Sequence, residues 1–131
     1  MTAGLWALEQ LSPGLYRTLS KLGAALAAGL ADAARDAGVP LQVNAFGSLL
    51  TPFFTSAPVR DFQSALAADT ERYAVFFREM LARGVYAPPS QFEAWFLSGA
   101  HTARDVAKTT KAAREAMKAV KKAGARLGST A

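Results

Sequence analysis

Cysteine is absent from this 131-residue chain, and histidine occurs once, at His101. The first absence excludes a disulfide framework, thiolate metal sites and thiol catalysis, and it suits a cytoplasmic protein. The second leaves no pair of imidazoles, so no metal site is expected and a Ser-His-Asp triad has thin support. Long apolar runs are missing as well. The longest low-charge stretch, residues 39–59, carries three prolines and a glycine, so it cannot cross a bilayer as a helix. The N-terminus lacks a basic region followed by an apolar core and a cleavage site, so no signal peptide is read. Neither a P-loop nor a dinucleotide-binding glycine pattern is present.

What remains is a chain half of whose residues are apolar, at 51%, with alanine frequent. That composition suits one helix-rich globular domain. The net charge is +5. Lys108, Lys111, Arg114, Lys118, Lys121 and Lys122 crowd near the end, where cations sit well at a helix C-terminus. They read as a solvated helix face. No aromatic platform is interleaved with them, so nucleic acid is not the expected partner.

In chain order, residues 2–11 read as a helix with Leu5, Leu8 and Leu11 on one side. It starts without a cap, as a piece of a longer chain would. Ser12 and Pro13 are a good cap and first position for a second helix. Leu15, Leu19, Leu22, Leu26 and Leu30 give that helix an apolar stripe to about Asp36, before Gly38 and Pro40. Gly23, Ala24, Ala27 and Ala28 offer a small-residue face for close packing. Two short strands follow on either side of Gly47 and Ser48, with Pro52 implying an edge or a bulge. The Gly47–Ser48 turn is read as an ordinary hairpin turn, not an anion site. A short helix over 60–67 precedes one over 70–83, capped by Asp69, with Tyr73, Phe76, Phe77, Met80 and Leu81 inward. Residues 84–101 read as strand, Pro-Pro-Ser turn and strand, with Phe92 and Trp95 buried. Thr102 and Asp105 form a near-capping box for a final helix with Val106, Ala113, Met117 and Val120 inward. Gly124 and the tail 128–130 end it and fray. The fold class is α+β: a small antiparallel sheet covered by helices.

Glu93 lies among the aromatics Phe92, Trp95 and Phe96. Either it points to water, or it has a partner or loses its charge. The rule that charges are seldom buried favours water. Ser90, Gln91, Ser98 and His101 complete a polar set near one end of the sheet. His101 can be a base, but its place before a helix cap favours a structural hydrogen-bonding role.

The run Gly84-Val85-Tyr86, Pro89-Ser90-Gln91-Phe92-Glu93-Ala94, Phe96-Leu97-Ser98 and Ala100-His101-Thr102 resembles the C-terminal signature of glutamate-1-semialdehyde 2,1-aminomutase. Val43-Asn44, Gly47-Ser48, Phe53-Phe54-Thr55, Pro58-Val59 and Ala68-Asp69-Thr70 match in the same order, and the likeness covers nearly the whole chain. It implies the C-terminal small domain of a fold-type-I, class III pyridoxal-phosphate enzyme. Residues 1–12 would be the helix entering from a large domain, and residues 13–131 the small domain. The family isomerises glutamate 1-semialdehyde to 5-aminolevulinate, toward porphyrins, starting from pyridoxamine 5'-phosphate, as a homodimer. The lysine that holds pyridoxal 5'-phosphate in that family has no match here. The resemblance therefore implies a fragment inactive alone, with no cofactor bound to it, whose partner is its own large domain or, through its uncovered surface, another copy of itself. It makes Glu93 the residue facing substrate and cofactor, reversing the reading from chemistry alone, with Ser90, Gln91 and His101 in support. Trp95 departs from the small residue expected there; two places from Glu93 in a strand, it would share its face. Two other readings stay open: another class III aminotransferase, and a free-standing interaction module.

Overall fold

A computed structural model describes residues 2–128. Its elements are α1 (Thr2–Glu9), α2 (Pro13–Ala37), β1 (Gln42–Phe46), β2 (Leu49–Phe53), α3 (Phe62–Leu66), α4 (Thr70–Ala82), β3 (Trp95–Phe96) and α5 (Ala103–Gly128). The strands form one antiparallel sheet in the order β1-β2-β3. α5 packs between α2 and α4, and α2 also lies against β1 and β2. The α+β architecture read from the sequence is therefore the one observed.

The long helices start and stop where their local chemistry dictates. Ser12 Oγ accepts the Leu15 N–H at 3.1 Å, with Pro13 opening α2. Gly38, at φ 67°, closes it in the left-handed region, which glycine enters at no steric cost. The leucine stripe is graded: Leu26 and Leu30 are buried, while Leu15, Leu19 and Leu22 are half-buried. The small-residue face is narrower than expected. Gly23 is buried, but Ala24 and Ala28 face solvent. At Gly23 a Cβ would stand 2.0 Å from the Gly47 carbonyl oxygen, so the hairpin turn sits directly on the helix backbone.

That turn has two residues, Gly47 and Ser48, between the paired Phe46 and Leu49. Only Gly47 has positive φ, the pattern of a type II′ turn, whose twist suits a hairpin. Pro52 is not at an edge in the order of the sheet: β2 is the central strand. The physical reason is the shortness of β3, which pairs only with Leu49 and Leu50. Beside Pro52 the sheet has no third strand, so the missing N–H leaves no ladder partner unmet.

α3 and α4 are capped by Asp61 and Asp69, whose carboxylates accept the Ser64 and Arg72 N–H groups at 2.8 and 3.0 Å. Tyr73, Phe76 and Met80 are buried as expected, Phe77 is half-buried, but Leu81 is exposed. It follows Met80 by 100° around the helix, off the face that α5 covers. On α5, Val106, Ala113, Met117 and Val120 face inward as expected. The six basic residues are all exposed, in keeping with a solvated face. Gly124 does not stop α5, which continues to Gly128; residues 129 and 130 of the expected frayed tail lie outside the described residues. α1 ends at Glu9, short of Leu11, and buries nothing.

Candidate functional site

The stretch from Gly84 to His101 is laid out by its prolines. Gly84, at φ 78°, ends α4, and the Val85 N–H returns to the Met80 carbonyl at 3.0 Å. The expected strand over Val85–Ala87 does not form. Pro88 and Pro89 have no N–H to donate, so a ladder cannot continue through them. Of the second expected strand only Trp95 and Phe96 pair, with Leu50 and Leu49. Trp95 turns inward and stacks on Phe76, with ring centroids 6.3 Å apart, while Phe96 points outward. Between prolines and strand, the Glu93 N–H closes a turn on the Ser90 carbonyl at 3.2 Å. In that turn Phe92 is 47% exposed, against expectation. Strand alternation does not apply to Glu93, so the shared face with Trp95 does not follow either.

This layout opens a cavity of about 640 Å³ between α2, the 85–97 segment and the start of α5. Leu26, Val85, Trp95, Leu97 and Val106 supply much of its apolar wall; Glu93 and Asp105 supply its carboxylates, His101 its imidazole and Tyr86 a phenol. Glu93 is exposed at the rim and, among the described residues, makes no ion pair. His101 shares the cavity with it. Its Nδ1 accepts the Ser98 backbone N–H at 2.9 Å, which assigns the proton of the neutral ring to Nε2. That is the structural role residue chemistry favoured, with Nε2 left over for another partner.

Ser90 and Gln91 do not line the cavity. Ser90 Oγ accepts the Phe92 N–H at 3.2 Å within the turn. Gln91 is buried, and its Oε1 accepts the Phe54 N–H at 2.8 Å. Ser98 Oγ accepts the Ala100 N–H at 3.3 Å, shaping the loop before α5.

Two residues escaped the sequence reading. By sequence Asp105 reads only as a cap, which it is: its Oδ2 accepts the Thr102 N–H and hydroxyl at 2.7 and 2.9 Å. Those bonds hold its carboxyl below the usual carboxylate range. It also faces the cavity, as its place in the first turn of α5 allows. Tyr73 reads as core, with no local signal for more. Its hydroxyl donates to the Pro88 carbonyl at 2.6 Å. Burial pushes its pKa up, and the nearby Glu93 charge adds to this. The Trp95 indole N–H opposes the rise by leaning toward the phenol oxygen, without forming a well-aligned hydrogen bond.

Among the described residues no cluster of three His, Asp or Glu side chains converges as a metal site. Among the described residues neither Lys nor Arg lines the cavity. Two carboxylates, one imidazole and one phenol do not suit a phosphate-bearing aldehyde, so these residues alone do not fit pyridoxal phosphate.

No family model matches the chain. Its curated relatives are specific. A glutamate-1-semialdehyde 2,1-aminomutase of Sorangium cellulosum is 50% identical over 119 residues, 91% of this chain and 27% of the relative. One from Anaeromyxobacter dehalogenans (strain 2CP-1) is 55% identical over 114 residues, covering 87% and 26%. The chain thus spans about a quarter of the length of the curated relatives it matches. Among solved structures, an omega-transaminase from Sphaerobacter thermophilus superposes with a TM-score of 0.80 at 29% identity, over 90% of this chain and 27% of that one. A glutamate-1-semialdehyde aminomutase from Pseudomonas aeruginosa PAO1 shares the fold, with a TM-score of 0.73 at 22% identity over 83% and 24%. Over the stretch that they share, the chain is thus similar, at 50–55% identity, to proteins named glutamate-1-semialdehyde 2,1-aminomutase.

Proposed function

We propose that this chain is the C-terminal small domain of an aminomutase that converts glutamate 1-semialdehyde to 5-aminolevulinate in the cytoplasm. The observation that carries the reading is the 50–55% identity to curated aminomutases over about nine-tenths of the chain. In the whole enzyme, pyridoxal phosphate supplies the electronic chemistry of amino-group transfer. This chain contributes one wall of the site. Its apolar lining excludes water, and Glu93, exposed and without an ion pair, offers a carboxylate to the amino group of the substrate. His101 Nε2 is a second polar contact on the same wall. Residues 1–12 are the connection to the large domain and residues 13–131 the small domain, a division supported by the absence of any buried residue on α1. The whole enzyme is a homodimer. The fragment by itself is inactive, because its cavity holds neither a lysine to bind the cofactor nor a phosphate anchor.

The test is a chimera in which this chain replaces the matching segment of the Sorangium cellulosum aminomutase. The chimera is expected to form 5-aminolevulinate, and Glu93→Gln to lower its kcat/KM about tenfold or more. The isolated chain is expected to form none. The likeness to an omega-transaminase favours a second reading, another class III aminotransferase. A folded chimera that exchanges amino groups between ordinary donors and acceptors without isomerising the semialdehyde would replace the first reading by the second.

A further inference from the structure

The segment that carries Glu93 has almost no ladder to hold it. Pro88 and Pro89 cannot donate, and β3 is two residues long. What fixes it instead is a set of side-chain anchors in one buried aromatic layer. Tyr73, on α4, donates to the Pro88 carbonyl at 2.6 Å. Gln91, 2% exposed, accepts the Phe54 N–H at 2.8 Å. Trp95 stacks on Phe76, whose ring in turn lies 5.5 Å from that of Phe54 and 6.2 Å from that of Tyr73. Glu93 falls between the second and third anchors and is itself exposed.

The choice of glutamine at position 91 supports a specific role. Its Nε2 is buried with no partner among the described residues, a cost that a leucine of similar volume would avoid. Oε1, however, satisfies the Phe54 N–H just past the end of β2, which a leucine would orphan. The Phe54 carbonyl is taken by the Asp69 N–H at 2.9 Å, so the residue is fixed from both sides. One residue, Phe92, separates Gln91 from Glu93, and the Ser90–Glu93 turn bond makes the connection short and stiff.

We infer that Tyr73 and Gln91 are positioning residues that hold the Glu93 carboxylate at the cavity rim. This rests on the reading of Glu93 given above, and the tests separate the two. On the full chain, Gln91→Leu is expected to lower the ¹⁵N heteronuclear NOE at Glu93 and to speed exchange of the Phe54 amide about tenfold, while the amides of α5 stay unchanged. Tyr73→Phe, which keeps the ring and removes only the hydroxyl, is expected to loosen residues 88–93 alone. Unchanged order at Glu93 in both variants would overturn the inference. In the active chimera each substitution should lower kcat/KM about tenfold in a Glu93 background and add nothing in a Glu93→Gln background. An equal loss in both backgrounds would mean that the two residues serve stability only, and would overturn it. An inert Glu93→Gln substitution, by contrast, would overturn the role of Glu93 itself and the functional part of the inference with it.

Discussion

The α2–α5–α4 layer and helix α1 use the same apolar residue types to opposite ends. In the layer, Leu30, Phe76, Met80, Ala113, Ala116 and Met117 are all fully buried. On α1, Leu5, Trp6 and Leu8 are each at least 60% exposed, with no buried residue on the helix. The uncovered surface continues elsewhere: Phe46 on β1 is 86% and Phe96 on β3 71% exposed. The difference teaches that the residues that hold the fold together and those left uncovered lie on separate parts of the chain. Substitutions should therefore sort cleanly into two groups.

The largest effect should come from the layer. Phe76→Ala removes a ring packed against Phe54, Tyr73 and Trp95, and should cost about 3–5 kcal/mol in a denaturant titration. A loss as small as that of a surface substitution would break the comparison. Gly23→Ala comes next, at about 1–3 kcal/mol or more, because the new methyl must displace backbone at Gly47. A neutral result would mean that the hairpin turn moves freely on α2. Thr102→Ala should cost about 1 kcal/mol as a lost cap. Asp105, its partner, has a lowered pKa, so its contribution is present above about pH 4 and is lost as pH falls below that value. Asp105→Asn should remove this acid-side dependence from the melting temperature. The smallest effect on stability should come from Leu5→Ser with Trp6→Ser, within about 0.5 kcal/mol of wild type. The same double variant should abolish concentration-dependent light scattering and hydrophobic-dye binding. A wild-type chain that is strictly monomeric and binds no dye would remove α1 as the adhesive element.

Where the sequence was legible, the determinants were local. Ser12, Asp69 and Thr102 announce three helix starts, and Gly38 and Gly84 two stops, because capping is settled within a few residues. The inward faces of α4 and α5 followed from spacing. The failures share a different cause. Leu81 reads as core by type, but only the placement of α5 decides which side of α4 is covered. Val85–Ala87 reads as a strand, yet among the described residues it joins no sheet, and two prolines follow. Phe92 reads as buried, but its turn is dictated by Gln91 on one side and Trp95 on the other. In the candidate site, Glu93 and His101 stand out by residue type, and the two share a cavity. Tyr73 and Gln91 were not assigned their anchoring roles, because hydrogen bonds to Pro88 and Phe54 are tertiary facts with no local pattern.

The central place of α5 has a consequence for how the chain comes to be folded. Synthesis delivers α2, the hairpin and α4 before the helix that lies between α2 and α4 exists. Until α5 emerges, Leu26, Leu30, Phe76 and Met80 lack the face that covers them. The nascent chain therefore passes through a stage with its future interior open to water and to other chains, the condition in which aggregation competes with folding. Ribosome-bound chains stalled before residue 103 should thus recruit chaperones, and chains extended past α5 should release them.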